Sequence, residues 1–217
     1  MRRTLARLRQ RFLGPCLDYA ELTAIVIGLG NPGRRNAATR HNLGWRVVER
    51  CAAGARLDFQ PGRGDFFATR WRRPEGDALL VLPTTFMNRS GEAGRQLLGL
   101  SGLTPARCLV VADDLDLPLG RLRLRAQGGP GGHGGLVSLA AAWGEAAFPR
   151  LRLGIGRPPA PPAGEAGDAV THVLGPFAPE EAAQVAAVVD AGAEAVDCFL
   201  AEGLERAASR FNPRAIA

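Results

Sequence analysis

Five short apolar runs, residues 24–28, 66–71, 78–83, 108–113 and 151–156, are separated by segments whose apolar residues recur at helical spacing, 43–53, 91–98 and 136–144. Runs of this length suit strands buried on both faces, and their alternation with helical segments restricts the chain to an α/β fold. Two of the runs have neighbours close enough for hairpin-like pairing, which makes the sheet mixed rather than wholly parallel. A closing helix is expected from residue 179 to about residue 210. The expected architecture is a single domain with a central twisted mixed sheet flanked by helices, without internal repeats. A chain of 217 residues can bury a core of that kind without staples.

Two segments stand outside that pattern. Residues 1–20 form an Arg-rich, weakly amphipathic N-terminal extension, with the domain proper spanning 21–217. The stretch "PPAPPAGEAGDA" is too rich in Pro and Gly and too poor in large apolar groups to join a core, so a surface loop or lid is expected there. No apolar run approaches the ~20 residues needed to cross a bilayer, so no membrane partner is expected. Cys16, Cys51, Cys108 and Cys198 are scattered, with no C-x-x-C pair and no His at metal-ligand spacing. They read as reduced thiols of a cytoplasmic protein.

Every cationic side chain among the 27 Lys and Arg residues is arginine, and the formal net charge is +6. A guanidinium fork pairs with phosphate through two donors, which favours a polyanionic partner such as nucleic acid. In the first apolar run, Gly28-x-Gly30-x-x-Gly33 has the spacing of a dinucleotide-binding turn, and Glu49 lies where a ribose-binding acid would be sought. Such a turn must run directly from its third glycine into a helix. Here the polar loop "RRNAATRHN" intervenes, and Pro32 stiffens the turn, so the nicotinamide reading is set aside.

That loop instead delivers His41 and Asn42 beside a strand end carrying Asn31. Three further polar clusters also close apolar runs: "VLPTTFMNRSG", "LVVADDLDLPLG" and "GGPGGHGGL". With "GLGNPG", "TRHN", "RLRLGIGRP" and "HVLGPF", these motifs resemble, in order, those of the bacterial peptidyl-tRNA hydrolase family. The resemblance extends from Ile25 to about Phe211. It implies hydrolysis of the ester joining peptide to tRNA, recycling tRNA from aborted translation. The implied enzyme is a cytoplasmic monomer whose partner is tRNA, without cofactor or metal.

Residue by residue, the resemblance implies His41 as the general base and Asp114 as the acid that orients it. Asp116 is the alternative on spacing alone, and Asp113 stands where relatives often carry another residue. Asn31 and Asn88 match positions that place or stabilise the substrate carbonyl. Phe86 and Met87 match the peptide groove, although core packing explains such residues equally. His133 and Asn36 match substrate-binding positions. Arg125 and Arg152 match phosphate contacts to tRNA, and in an alternating strand Arg121, Arg123 and Arg125 would share one face.

The chain departs from the family pattern twice. Gly134 replaces the asparagine that usually follows the histidine, and Asn36 replaces a tyrosine. The alternative reading is a non-catalytic RNA-binding relative resembling chloroplast group II intron splicing factors.

Overall fold

The computed structural model describes residues 17–158 and 169–217. The proline-rich segment and the basic extension fall almost wholly outside these residues. Leu17 and Tyr19, at the end of that extension, are packed into the core.

Seven strands form one sheet: β1 (Leu22–Gly28), β2 (Gln60–Pro61), β3 (Phe66–Trp71), β4 (Asp77–Pro83), β5 (Cys108–Asp114), β6 (Leu122–Arg125) and β7 (Arg150–Gly154), ordered β2-β3-β4-β1-β5-β7-β6. The four inner strands β4, β1, β5 and β7 are parallel, while β3 and β6 run antiparallel to their neighbours β4 and β7. The mixed sheet therefore has a parallel centre and antiparallel margins, as the hairpin-like spacing of the runs implies.

All seven residues of β5 are buried, so the strand reads as a continuous apolar run because both of its faces are covered. On one face Leu109, Val111, Leu151 and Leu153 pack with helix α1 (Leu43–Gly54), through Val47 and Val48, and with α5 (Ala182–Glu202), through Val188 and Val196. On the other, Ile25, Ile27, Val110 and Ala112 pack with α2 (Ser90–Ser101), through Leu97, and α3 (Gly134–Trp143), through Leu139. A short helix, α4 (Ala169–Leu174), precedes α5.

The closing helix is broken rather than continuous. It opens with a 3-10 turn, Pro179–Glu181, and α5 ends before Gly203, whose φ of 85° interrupts the helix ahead of α6 (Leu204–Phe211). β6 is an edge strand that exposes unpaired backbone groups. Asn212, just beyond α6, covers it by accepting from the Leu124 amide at 2.7 Å and donating to the Leu124 carbonyl at 3.2 Å.

The glycine spacing of the first strand has a packing explanation. A Cβ on Gly28 would lie 2.6 Å from the Gly44 carbonyl oxygen of α1, and one on Gly30 would lie 2.7 Å from the Trp45 indole. These glycines let α1 lie directly against β1 and its extension. The helix starts only at Leu43, so its N-terminus does not follow Gly33, as a dinucleotide turn requires. Among the described residues no helix is long and apolar enough to cross a membrane.

Candidate active site

Open parallel sheets place ligands beyond the carboxyl ends of their strands. Here the residues following β1 and β4, the end of β5, and the loop leading into α3 surround a cleft of about 1090 Å³. Asn31, Asn36, His41, Phe86, Met87, Asn88, His133, Gly134 and Arg152 all line it. Arg125, exposed on β6, lies by contrast outside the cleft wall, as do Arg121 and Arg123.

His41 sits in a 3-10 turn, Arg40–Asn42, that is fastened at both ends. On one side the Asn42 side chain donates to the Asn31 carbonyl at 2.9 Å and accepts from the Asn31 amide at 2.8 Å. On the other, the Arg40 guanidinium pairs with Glu181 at 3.0 Å and stacks over Phe177, while the Arg40 amide donates to the Gly175 carbonyl. The imidazole is thereby fixed in position before any substrate arrives.

The acid beside His41 is Asp113, not Asp114. His41 Nδ1 lies 2.8 Å and 3.0 Å from the two Asp113 oxygens. Successive residues of a strand point to opposite faces, and Asp113 follows Leu109 and Val111 onto the side where α1 lies. Asp114 points the other way, where its carboxylate pairs with Arg152 Nε at 2.6 Å and accepts from the Asp116 amide at 2.9 Å. Asp116 itself pairs with Arg157. Neither Asp114 nor Asp116 has a contact with His41 among the hydrogen bonds of the described residues.

Asp113 is buried and receives a second imidazole, with His133 Nε2 3.0 Å from its Oδ1. Burial pushes the carboxyl up, but the adjoining His133 and His41 rings and their hydrogen bonds outweigh it and hold Asp113 well below the usual carboxylate range. Asp114 is displaced oppositely. Its burial raises it against the Asp116 amide and the Arg152 charge. His41, Asp113 and His133 each bring a potential ligand atom within 4.8 Å of the others. The ring nitrogens that face Asp113 lie within hydrogen-bond distance of it, at 2.8 Å for His41 and 3.0 Å for His133.

Asn31 is 8 % exposed, and its Oδ1 accepts the Met87 amide at 2.8 Å. That bond assigns the amide orientation and leaves Nδ2 as the donor available to the cleft. Asn88 lies exposed in the adjoining 3-10 turn Met87–Arg89. The two apolar neighbours separate: Met87 is 5 % exposed and packs with the core, whereas Phe86 is 61 % exposed on the cleft rim. The Asn36 side chain donates to the Pro32 carbonyl at 2.7 Å, bracing its own loop from the cleft wall. Leu136 and the α4 residues Val173 and Leu174 complete an apolar side of the cleft.

Arg150 opens the RLRLGIGRP motif, in which nothing marks one arginine as buried. It is almost fully buried, donates to the Ala146 carbonyl at 2.7 Å and the Gly129 carbonyl at 3.2 Å, and stacks on Phe148. Those carbonyls lie on either side of α3, so Arg150 ties together the loops that enter and leave the helix carrying His133. On β6, Leu122 and Leu124 are buried, and Arg123 and Arg125 stand opposite Arg152 and Arg150 of β7. Directly paired residues share a face, so Arg123 and Arg125 lie on the face of Arg152 and Arg150, whereas Arg121 precedes the strand and donates to the Pro213 carbonyl at 3.4 Å.

Known proteins resemble this chain over most of its length. The family model described as Peptidyl-tRNA hydrolase matches residues 25–217. The peptidyl-tRNA hydrolase of Synechococcus sp. (strain JA-3-3Ab) is 48% identical over 195 residues, 87% of this chain and 82% of that protein. That of Symbiobacterium thermophilum is 45% identical over 193 residues, covering 88% of this chain and 100% of the relative. The crystal structure of peptidyl-tRNA hydrolase from Acinetobacter baumannii superposes with a TM-score of 0.81 at 30% identity, over 94% of this chain and 100% of that one.

Proposed function

The chain belongs to the peptidyl-tRNA hydrolase family, and we propose that its cleft hydrolyses the peptide–tRNA ester by general-base catalysis from His41. The protein is a hydrolase of peptidyl-tRNA, and the assignment of roles follows from the chemistry. Water attacks an ester carbonyl slowly until a base takes its proton, and a neutral imidazole is suited to that task near pH 7. The observation that carries the assignment is the 2.8 Å bond from His41 Nδ1 to Asp113 at the mouth of the sheet. It holds the ring proton on Nδ1, donated to the carboxylate, and leaves the Nε2 lone pair to the cleft.

As water adds to the carbonyl, Asp113 stabilises the imidazolium, and the proton then passes to the departing ribose oxygen. The Asn31 Nδ2 donor and the Asn88 amide receive the developing charge on the carbonyl oxygen. Phe86, Met87 and Leu136 face the peptide, and Asn36 braces the neighbouring wall. In this reading the protein works in the cytoplasm as a monomer, since one chain supplies every residue named. A scattering mass of two chains at working concentration would contradict the monomer.

The test is release of tRNA from an N-blocked aminoacyl-tRNA. Release by the purified protein is expected; binding of that substrate without release overturns the reading. Arg125 and Arg152 supply phosphate contacts, and their contributions differ. Arg125→Ala should weaken tRNA binding and reduce the slope of log affinity against log salt by roughly one. Arg152→Gln should reduce it by less, because Arg152 is already paired with Asp114 in the free protein. Filter binding across a salt series measures both, and unchanged slopes would return the arginines to a solvated surface.

Gly134 is where this chain parts from its family's pattern. Its φ lies outside the left-handed region, and a Cβ there would meet nothing nearer than Asn88 at 4.0 Å. An asparagine therefore fits and would add two donors and an acceptor beside His133. One recovered hydrogen bond is worth ~0.5–1.5 kcal/mol, so Gly134→Asn should raise hydrolysis by up to about tenfold. A rate unchanged or lowered in the folded variant would show that an amide at this position does nothing for the reaction here.

A further inference from the structure

We propose that His133 is a positioning residue, a neutral imidazole held as an Nε2–H donor to Asp113, which orients the carboxylate and moderates the basicity of His41 instead of contacting the peptide. This inference rests on His41 as the base. His133 is the N-cap of α3, and its Nδ1 lies 3.2 Å from the Gly135 amide and 3.4 Å from the Leu136 amide. A ring nitrogen that accepts backbone N–H groups carries no proton, so the proton resides on Nε2. That nitrogen faces Asp113 Oδ1 at 3.0 Å. Protonation of the ring would break the cap bonds and set a cation against the positive end of the helix.

The same oxygen, Asp113 Oδ1, receives His41 Nδ1 at 2.8 Å. The two rings lie 4.8 Å apart, tilted by 50°. One carboxylate oxygen thus serves two donors, and the lone-pair density that would stabilise a His41 imidazolium is shared with the hydrogen bond from His133. The other charges around the cluster are internally matched: Asp114 with Arg152 on β7, Asp116 with Arg157, Arg40 with Glu181, and Arg89 with Glu92. On α4, His172 lies toward the Ile155 carbonyl. None of these groups shares the Asp113 oxygens. His133 is therefore the neighbour that sets how strongly Asp113 supports the base, and Arg150 fixes the loop that presents it.

His133→Asn separates the two functions of the ring. Asparagine is among the best N-caps, so the helix start is preserved, but its shorter side chain removes the donor to Asp113. With the carboxylate undivided, the acid limb of kcat/KM should move to higher pH by about half to one unit, with the plateau kcat lowered a few-fold and KM little changed. An unmoved acid limb with a raised KM would assign His133 to substrate contact and overturn the proposal. Nitrogen-15 spectra of the unmodified protein supply a readout independent of turnover. A bare Nδ1 and a protonated Nε2 are expected at His133, and a proton on Nδ1 overturns the proposal. Failure of the parent protein to release tRNA at all would instead count against His41 as the base.

Discussion

His41→Ala is expected to lower hydrolysis of peptidyl-tRNA by about two to four orders of magnitude, the usual worth of a general base, while leaving the fold and tRNA affinity intact. The fold should survive because the turn carrying His41 is held by its neighbours. Asn42 is bonded to both backbone groups of Asn31, and Arg40 to Glu181. Asp113 is not stranded either, since His133 still donates to it at 3.0 Å, avoiding the penalty of an unpaired buried charge. Binding should survive because the arginines proposed as phosphate contacts, Arg125 and Arg152, lie on β6 and β7, not on the turn that carries His41. Single-turnover release, filter binding and circular dichroism measure the three quantities separately. Undiminished release by the folded variant would remove His41 from the reaction.

The central strands were legible because burial on both faces writes them as unbroken apolar runs, and β3 begins and ends where its run does. β6 was harder. Its four residues, LRLR, alternate so evenly that they identify a strand only once a neighbour is known. The break at Gly203 was hidden because helical spacing resumes on its far side. The glycine spacing after β1 misdirects more seriously, since close packing of a helix and close approach of a phosphate both call for a missing Cβ. What separates them is where the next helix begins, and the polar loop before Leu43 made that readable.

The site was legible as a set of motifs and less so as a set of bonds. Two adjacent aspartates have the same composition and opposite directions. The alternation of Leu109 and Val111 toward α1 and of Val110 and Ala112 away from it contains the answer, but it needs α1 and His41 to be on a known face. Arg150 could not be read at all. Only the structure reveals that its charge is satisfied by carbonyls of the loops around α3.

That difference between neighbours gives the second large effect. Asp113→Asn should reduce hydrolysis by about two to four orders of magnitude, comparable to loss of the base, whereas Asp114→Asn should change it by no more than a few-fold. Asp113 is held ionised by two imidazole donors against the cost of burial, so it remains an acceptor throughout the working pH range. An asparagine that turns its NH2 toward His41 forces the ring proton onto Nε2, the nitrogen that must receive a proton from water. If it turns its oxygen there instead, the tautomer is kept but the charge that stabilises the imidazolium is gone. Asp114→Asn has neither consequence. It retains an acceptor for the Asp116 amide and loses only the ion pair to Arg152. Freed from that pair, Arg152 becomes a more available phosphate contact, so tRNA affinity at low salt should rise by up to a few-fold and the salt slope should steepen. Equal losses of hydrolysis in the two folded variants would show that the orienting role does not belong to Asp113 alone. A larger loss for Asp114→Asn would transfer that role to the acid paired with Arg152.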